Sequence, residues 1–350
     1  VFDGLNNIYS LKQNKYKSLS SKEEVEKVKN DISLEMALAY LQVLYNTEIL
    51  EVSKNQYEIT VLQEERTKKM VDAGSLAKGS LLEITAQKAG EKVTVTNSKN
   101  SLDLSYIALI QLLDLDSVGN FQIEIPVGLE VDINEDIRLL DSVFDYAVNN
   151  MPQIKSAEYN VMSNEIAYKM TKLQALPDLT LRGLFYTRYS EIAVHPSNYD
   201  NDPNNNIDKY TYGDQINDFA YRRVELNLNI PIFNNLNQHT AIQNSKVNYL
   251  SSQYQLEQAK QSLYKTIQQA QADAIASLEE YKSNQEAVKS MEESFRYTQQ
   301  RFDVGMVNSV DYNIAKNNLS KAQSELIRSK YNYIFRTKIL DFYMGRHITL

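Results

Sequence analysis

Two long runs without a helix breaker constrain this chain more than any other feature. Residues 8–72 contain neither Pro nor Gly, and residues 235–304 contain neither as well. Each run reads as a single helix, the first over 5–73 and the second over 235–304. At about 1.5 Å per residue, a helix of about seventy residues is a rod on the order of 100 Å long. A rod of that length outruns any globular core, so it must pack lengthwise against other rods, as in a coiled coil.

The apolar pattern says how many neighbours such a rod has. Ile32, Met36, Ala39 and Val43 step by four, three and four residues. Leu34, Leu38, Leu41 and Tyr45 form a second seam, shifted by two positions. Two positions turn a helix by about 200°, so the seams lie on nearly opposite sides. A helix with two seams sits between two neighbours, as a stave does in a closed wall. The second rod carries a seam in Leu263, Ile267, Ala270, Ala274, Ser277 and Tyr281, whose small members permit close approach.

The chain also repeats itself. Val1, Phe2, Gly4, Leu5 and Asn6 fall opposite Ile232, Phe233, Asn235, Leu236 and Asn237 at an offset of 231, which also pairs Lys15 with Lys246 and Gly74 with Gly305. Beyond the glycines the match resumes at an offset of 227, pairing Tyr106 and Ile107 with Tyr333 and Ile334. The reading is therefore an internal duplication, with a first repeat over 1–136 and a second over 137–350. The first holds the long helix 5–73, a hairpin turn at 74–80, a short helix over 81–114 and an insertion over 115–136. Phe121–Pro126 in that insertion alternates as a short strand. The second holds a helix over 137–176, broken near Pro152, then strands 179–190 and 221–233, the long helix 235–304, a turn at 305–310 and a helix over 311–344.

At Pro177 the hydrophobic period changes from about 3.6 to about 2. Leu179, Leu181, Gly183, Phe185 and Tyr189 share one face of the first strand. In the second, Val224, Leu226, Leu228, Ile230 and Ile232 face one side and Arg223, Glu225, Asn227 and Asn229 the other. An aliphatic face backed by a charged one suits a membrane β-strand, with lipid outside and water inside. Tyr189 and Tyr221 mark one rim, where an aromatic girdle belongs, and the Asn/Asp-rich stretch 191–220 reads as an exposed loop.

Composition excludes several classes. A net charge of −8 without a Lys/Arg cluster excludes a nucleic-acid surface. No run reaches the roughly 18 apolar residues of a membrane helix, although β-strands escape that test. The absence of Cys rules out disulfides and thiolate metal sites. His195, His239 and His347 are too scattered for a metal site, and Asp200–Asn206 lacks the Gly and Glu of a calcium loop. No phosphate loop or nucleophile motif is present, so neither a cofactor nor catalysis is expected. Val1 begins in mid-pattern without a signal peptide, so further chain is expected upstream.

Three segments carry a family resemblance. Leu176, Pro177, Asp178, Leu179, Thr180 and Leu181 form a helix-to-strand junction. Arg301, Phe302, Asp303, Val304 and Gly305, followed by Asp311, form a hairpin turn. Ser324 to Gly345, with Tyr331, Tyr333, Leu340 and Asp341, forms a last helix. In this order they resemble the TolC family of outer-membrane efflux proteins. The resemblance implies a mostly α fold in which very long antiparallel helices join a periplasmic α-barrel and a minor β-hairpin joins an outer-membrane β-barrel. It implies a homotrimer in the bacterial outer membrane, surrounded by outer-membrane lipid, with most of the chain in the periplasm. It implies work with a periplasmic adaptor protein and an inner-membrane pump, exporting small molecules or proteins.

The same resemblance places candidate residues. Asp311 matches an aspartate that lines the family's periplasmic constriction, and Glu83 occupies the similar place in the first hairpin. Three copies of Asp311 would make an acidic ring that attracts cations. An N-cap at the start of a helix explains Asp311 equally well. Gly74 and Gly305 read as helix C-caps with positive φ. As the family implies, the tips formed by Gly74, Phe302, Val304, Gly305 and Met306 also dock the adaptor. The family locks this tip with a tyrosine and an arginine, which here are Phe302 and Val307, so any lock must use other groups. The competing reading is a soluble periplasmic coiled-coil adaptor or scaffold. In that case the aliphatic face of 221–233 must pack on something else in the chain.

Overall fold

The computed structural model describes residues 5–115, 121–125, 140–193 and 210–346. The strand stub Val1–Phe2, most of the 115–136 insertion, the Asp200–Asn206 stretch, His195 and His347 lie outside them. In chain order the elements are α1 (Asn6–Asp72), α2 (Lys78–Leu112), α3 (Leu140–Asn150), α4 (Pro152–Leu173), β1 (Asp178–Tyr186), α5 (Tyr212–Asp218), β2 (Tyr221–Asn229), α6 (Asn237–Asp303) and α7 (Ser309–Tyr343). None of the described helices is long and apolar enough to cross a membrane. The chain divides into two compact units, Val1–Ser21 with Ala157–Leu256, and Lys22–Ser156 with Glu257–Leu350.

The unit with the strands contains one antiparallel ribbon. Asp178 pairs with Asn229 at one end and Tyr186 with Tyr221 at the other. Cross-strand partners share a face. The register therefore puts Leu179, Leu181, Gly183 and Phe185 on one face with Leu228, Leu226, Val224 and Arg222. Thr180, Arg182, Leu184 and Tyr186 share the other with Asn227, Glu225, Arg223 and Tyr221. Tyr221 thus packs against Tyr186 on the polar face, with centroids 4.9 Å apart and rings tilted by 36°, and not on the aliphatic face. The strands stop at Tyr186 and Asn229, short of the expected 190 and 233. Beside them Tyr16 stacks on Tyr159 and Tyr168 on Tyr249, each pair at 6.4 Å.

The expected loop contains a helix, α5. Thr211 caps it by accepting the Asp214 N–H at 3.3 Å, in a Thr-x-x-Asp pattern that marks a helix start. Buried Gln215 ties the loop together: its side-chain amide donates to the Tyr210 carbonyl at 2.9 Å, and its Oε1 accepts the Ser190 N–H at 2.8 Å.

The other unit is built from two helical hairpins, α1–α2 and α6–α7, with α3 beside them. The two seams of α1 have the two neighbours their spacing requires. The first continues as Asn46, Ser53 and Thr60 and meets α2: Asn46 donates to the Ser101 carbonyl at 3.1 Å, and the Ser53 and Ser98 hydroxyls lie 3.0 Å apart. The second meets α7, where Leu41 and Leu44 pack with Tyr331 and Ile334, and Glu48 accepts from Lys330 and Tyr331 at 2.9 and 2.7 Å. The α6 seam is buried from Leu263 through Ser277, and Ala270 and Ala274 admit Leu340 of α7. Ile32 and Leu38, at the start of the α1 seams, stay exposed.

The hairpins have matching dimensions. α1 and α6 each have 67 residues, and α2 and α7 each have 35. Positive φ recurs at Leu5 and Leu236, Gly74 and Gly305, and Asp114 and Gly345. Each pair is 231 residues apart, so the backbone keeps that offset to the end and does not change to 227. The reason is geometric: four residues rotate a helix by about 40° past a full turn, so both offsets keep much the same face, and the side-chain match alone cannot choose between them.

Pro152 breaks the expected 137–176 helix as α4 begins, at a position where its missing N–H costs nothing. Phe121–Ile125 is not a strand. With no ladder partner, its Glu124 carbonyl accepts the Tyr40 hydroxyl at 2.6 Å and Phe121 packs edge-on against Tyr106.

Candidate functional site

Both hairpin turns use the same helix ending. At the first, the Ser75 N–H donates to the Met70 carbonyl and the Gly74 N–H to Val71. At the second, Met306 donates to Arg301 and Gly305 to Phe302. This double bond pattern needs a left-handed residue, and Gly74 and Gly305 supply it with φ of 74° and 76°.

The helix starts that follow differ. α2 begins at Ala77, which offers no side-chain cap. α7 begins at Asn308, whose Oδ1 accepts the Asp311 N–H at 2.8 Å. Asp311 is therefore not the N-cap. It lies in the first turn with its carboxylate exposed, where a negative charge is favoured by the free N–H groups of the helix end. Replacing Asn308 by Ala is expected to cost about 1 kcal/mol, whereas Asp311→Asn costs a few tenths. Thermal melting followed by circular dichroism reads both, and equal losses would contradict this division of roles.

Glu83 and Asp311 come to the same level of the bundle through Ser309. The Ser309 hydroxyl donates to Glu83 Oε2 at 2.6 Å, which ties α7 to α2. A second tie joins the long helices, Arg66 to Asp303 at 2.5 Å, with both side chains substantially exposed. Both ties lie within one chain, close to the second hairpin turn. A third tie lies one turn deeper than Tyr312. Lys316 Nζ donates to the Gln56 carbonyl, to Thr60 and to the Glu91 carboxylate, joining α7 to α1 and α2.

Phe302 is not an exposed tip residue. It packs on Tyr312 at 4.8 Å, and Phe295 packs on the same ring at 5.4 Å. Burial pushes the Tyr312 phenol up to about 12, so it stays neutral. Val304 and Met306 are exposed, and so are Val310, Ile314 and Leu82. The second tip thus presents apolar side chains beside the Asp311 carboxylate. Sequence reasoning names Asp311, Glu83 and the glycines as candidates and does not reach Tyr312, Lys316 or the Arg66–Asp303 pair. Phe295 and Phe302, seven residues apart on one face of α6, are a readable signal for an aromatic partner such as Tyr312. Nothing in the local sequence distinguishes Lys316 from a solvated lysine. Among the described residues, no three or more His, Asp or Glu side chains gather as metal ligands.

Comparison with known proteins gives the arrangement its family. The chain is 26% identical over 304 residues to outer membrane protein TolC of Vibrio cholerae, which covers 86% of this chain and 64% of that protein. It thus spans a little under two thirds of that relative. A membrane protein from Pseudomonas aeruginosa has the same fold, with a TM-score of 0.79 at 14% identity, over 99% of this chain and 73% of that one. CusC, whose crystal structures concern conformational changes accompanying folding and transmembrane channel formation, matches with a TM-score of 0.77 at 15% identity, over 99% of this chain and 75% of that one. The model of the outer membrane efflux protein family matches residues 143–346. That match covers more than half of the sequence, and the chain belongs to the outer membrane efflux protein family.

Proposed function

We propose that this chain is a channel subunit of a tripartite efflux or type I secretion system, conducting small molecules or proteins passively from the periplasmic side to the exterior. The family is one of transport proteins rather than enzymes. In this reading three protomers form the duct, with the β1–β2 ribbon in the outer membrane and most of the chain in the periplasm. Each protomer is a tandem of two repeats, residues 1–136 and 137–350. The tips around Gly74, Val304, Gly305 and Met306, with Phe302 behind them, meet a periplasmic adaptor that links the duct to an inner-membrane pump. Asp311 and Glu83 line the constriction.

One observation supports this over a soluble adaptor or scaffold. Val224, Leu226 and Leu228 are 78%, 67% and 58% exposed, so among the described residues nothing else in the chain covers the aliphatic face of β2. A water-soluble protein would bury that row, whereas lipid covers it at no cost.

The test is conductance of the full-length gene product in planar bilayers. Discrete trimer-sized, cation-preferring channels are expected. Asp311→Asn should lower the cation-to-anion permeability ratio on the order of twofold, because three ring charges are lost together. Glu83→Gln should have a smaller effect, since Ser309 already holds that carboxylate. Absence of any conductance from the folded trimer would refute the channel.

A further inference from the structure

The lipid-side face of the ribbon carries one charge among its described strand residues. Leu179, Leu181, Gly183, Phe185, Val224, Leu226 and Leu228 are uncharged, and the remaining member is Arg222. Arg222 is exposed, and its guanidinium lies 5.8 Å from the centroid of the Phe185 ring, its cross-strand partner. It has no carboxylate partner among the described residues. On the opposite face the arginines have a carboxylate beside them: Arg223 pairs with Glu225, and Arg182 stands opposite Glu225 in the register.

Position gives this cation a meaning. The ribbon joins α4 and α6 at its Asp178–Asn229 end, so that end is the periplasmic one in the reading above. Arg222 is seven residues from Asn229, about 24 Å along the strand at about 3.4 Å per residue and about 18 Å in height at a strand tilt of about 40°. The apolar band of a membrane β-barrel is about 25 Å tall. A lipid-facing arginine at mid-band would be costly. At this height, in the upper third of the band, the penalty is lower than at mid-band, and the long side chain extends its guanidinium to the headgroup layer of the outer leaflet. A planar guanidinium supported by an aromatic ring is suited to a phosphate, which it can hold with two parallel hydrogen bonds. Beneath it on the same face Gly183 leaves open space, since a Cβ there would meet nothing within 4 Å. That gap is room for an acyl chain.

We propose that Arg222 binds the phosphate of a phosphorylated glycolipid headgroup in the outer leaflet, with Phe185 holding the guanidinium flat and Gly183 admitting the lipid's chain. The proposal rests on the membrane placement of the ribbon. The experiment uses the full-length trimer in phosphatidylcholine nanodiscs containing lipid A or its dephosphorylated form, with lipid retention read by native mass spectrometry. Arg222→Gln is expected to weaken lipid A retention on the order of tenfold, the loss of one charge-assisted contact. Arg222→Lys should retain part of it, and Arg223→Gln should match the wild type. Dephosphorylated lipid should not distinguish the variants, and millimolar inorganic phosphate should not compete. Equal retention by Arg222→Gln and wild type overturns the site, and full competition by free phosphate overturns the lipid as its ligand. A nitroxide at Leu226 separates the two levels of the argument. If it reports water rather than lipid, the membrane placement fails and takes this site with it. If it reports lipid while Arg222→Gln retains lipid A fully, only the phosphate site fails.

Discussion

Replacing Lys316 by alanine is expected to destabilise the paired hairpins by about 3 kcal/mol, the usual cost of removing one partner from a buried ion pair. Lys316 is only 2% exposed. Its amine donates to the Gln56 carbonyl at 2.9 Å and to Glu91 at 3.2 Å, and it contacts the Thr60 hydroxyl, which itself donates to Glu91. Truncation would leave a largely buried carboxylate and a carbonyl without their donor. Removing both charges is a different experiment. Lys316→Met with Glu91→Leu is expected to come close to the wild type, because burying the two ions costs nearly as much as their attraction returns. Desolvation lowers the Lys316 pKa, opposed by Glu91. The unfolded chain then holds the proton more tightly, so the charged amine opposes folding fully below the lowered pKa. Stability gains as pH rises from that value towards the ordinary lysine range. The double variant should lack this slope. Thermal unfolding of the full-length protein, followed by helix circular dichroism across pH, reads all three results. A loss under about 1 kcal/mol for Lys316→Ala would mean that water replaces the amine and that the three helices do not close over it.

Gly345→Ala is expected to cost about 2 kcal/mol, roughly twice the cost of Gly74→Ala. Both glycines are left-handed, with φ of 71° and 74°. That conformation alone penalises a side chain by about 1 kcal/mol. The surroundings differ. A Cβ at Gly74 meets nothing within 4 Å, whereas one at Gly345 would lie 2.1 Å from the Tyr146 hydroxyl oxygen and 2.7 Å from its ring. Tyr146 would have to swing away, weakening the packing of α3 beside the end of α7. The combination Gly345→Ala with Tyr146→Ala should remove this extra cost once the loss from Tyr146→Ala alone is subtracted. Chemical unfolding of the four proteins gives the coupling directly. If Gly345→Ala and Gly74→Ala cost the same, the tyrosine yields freely and its contact carries no energy.

Much of the fold was legible because it is written in local periodicity. The absence of breakers in 8–72 and 235–304 gave α1 and α6 nearly to the residue. The two α1 seams gave its two neighbours, and alternation in 221–233 gave the two faces of the ribbon. The tip glycines were readable because a helix end needs a residue that tolerates positive φ. Other features were missed for identifiable reasons. The Thr211 cap was overlooked inside a polar stretch read as loop. Phe121–Ile125 alternates like a strand but lacks a partner. The side-chain match at 227 obscured a backbone register of 231, because the two offsets differ by little more than one helical turn.

The sequence by itself determined the long helices, their double-sided packing, the hairpin caps and the two-faced ribbon. Each follows from the repeat of apolar residues along the chain or from the conformational demands of one residue. Only the tertiary structure decided which polar groups meet: Ser309 with Glu83, Arg66 with Asp303, and Lys316 with Gln56, Thr60 and Glu91. These partners are between 225 and 260 residues apart in the chain. A lysine destined for a buried cluster and a lysine facing water have the same local sequence. What separates them is the approach of a second hairpin, and that is set by packing over distances no short pattern encodes.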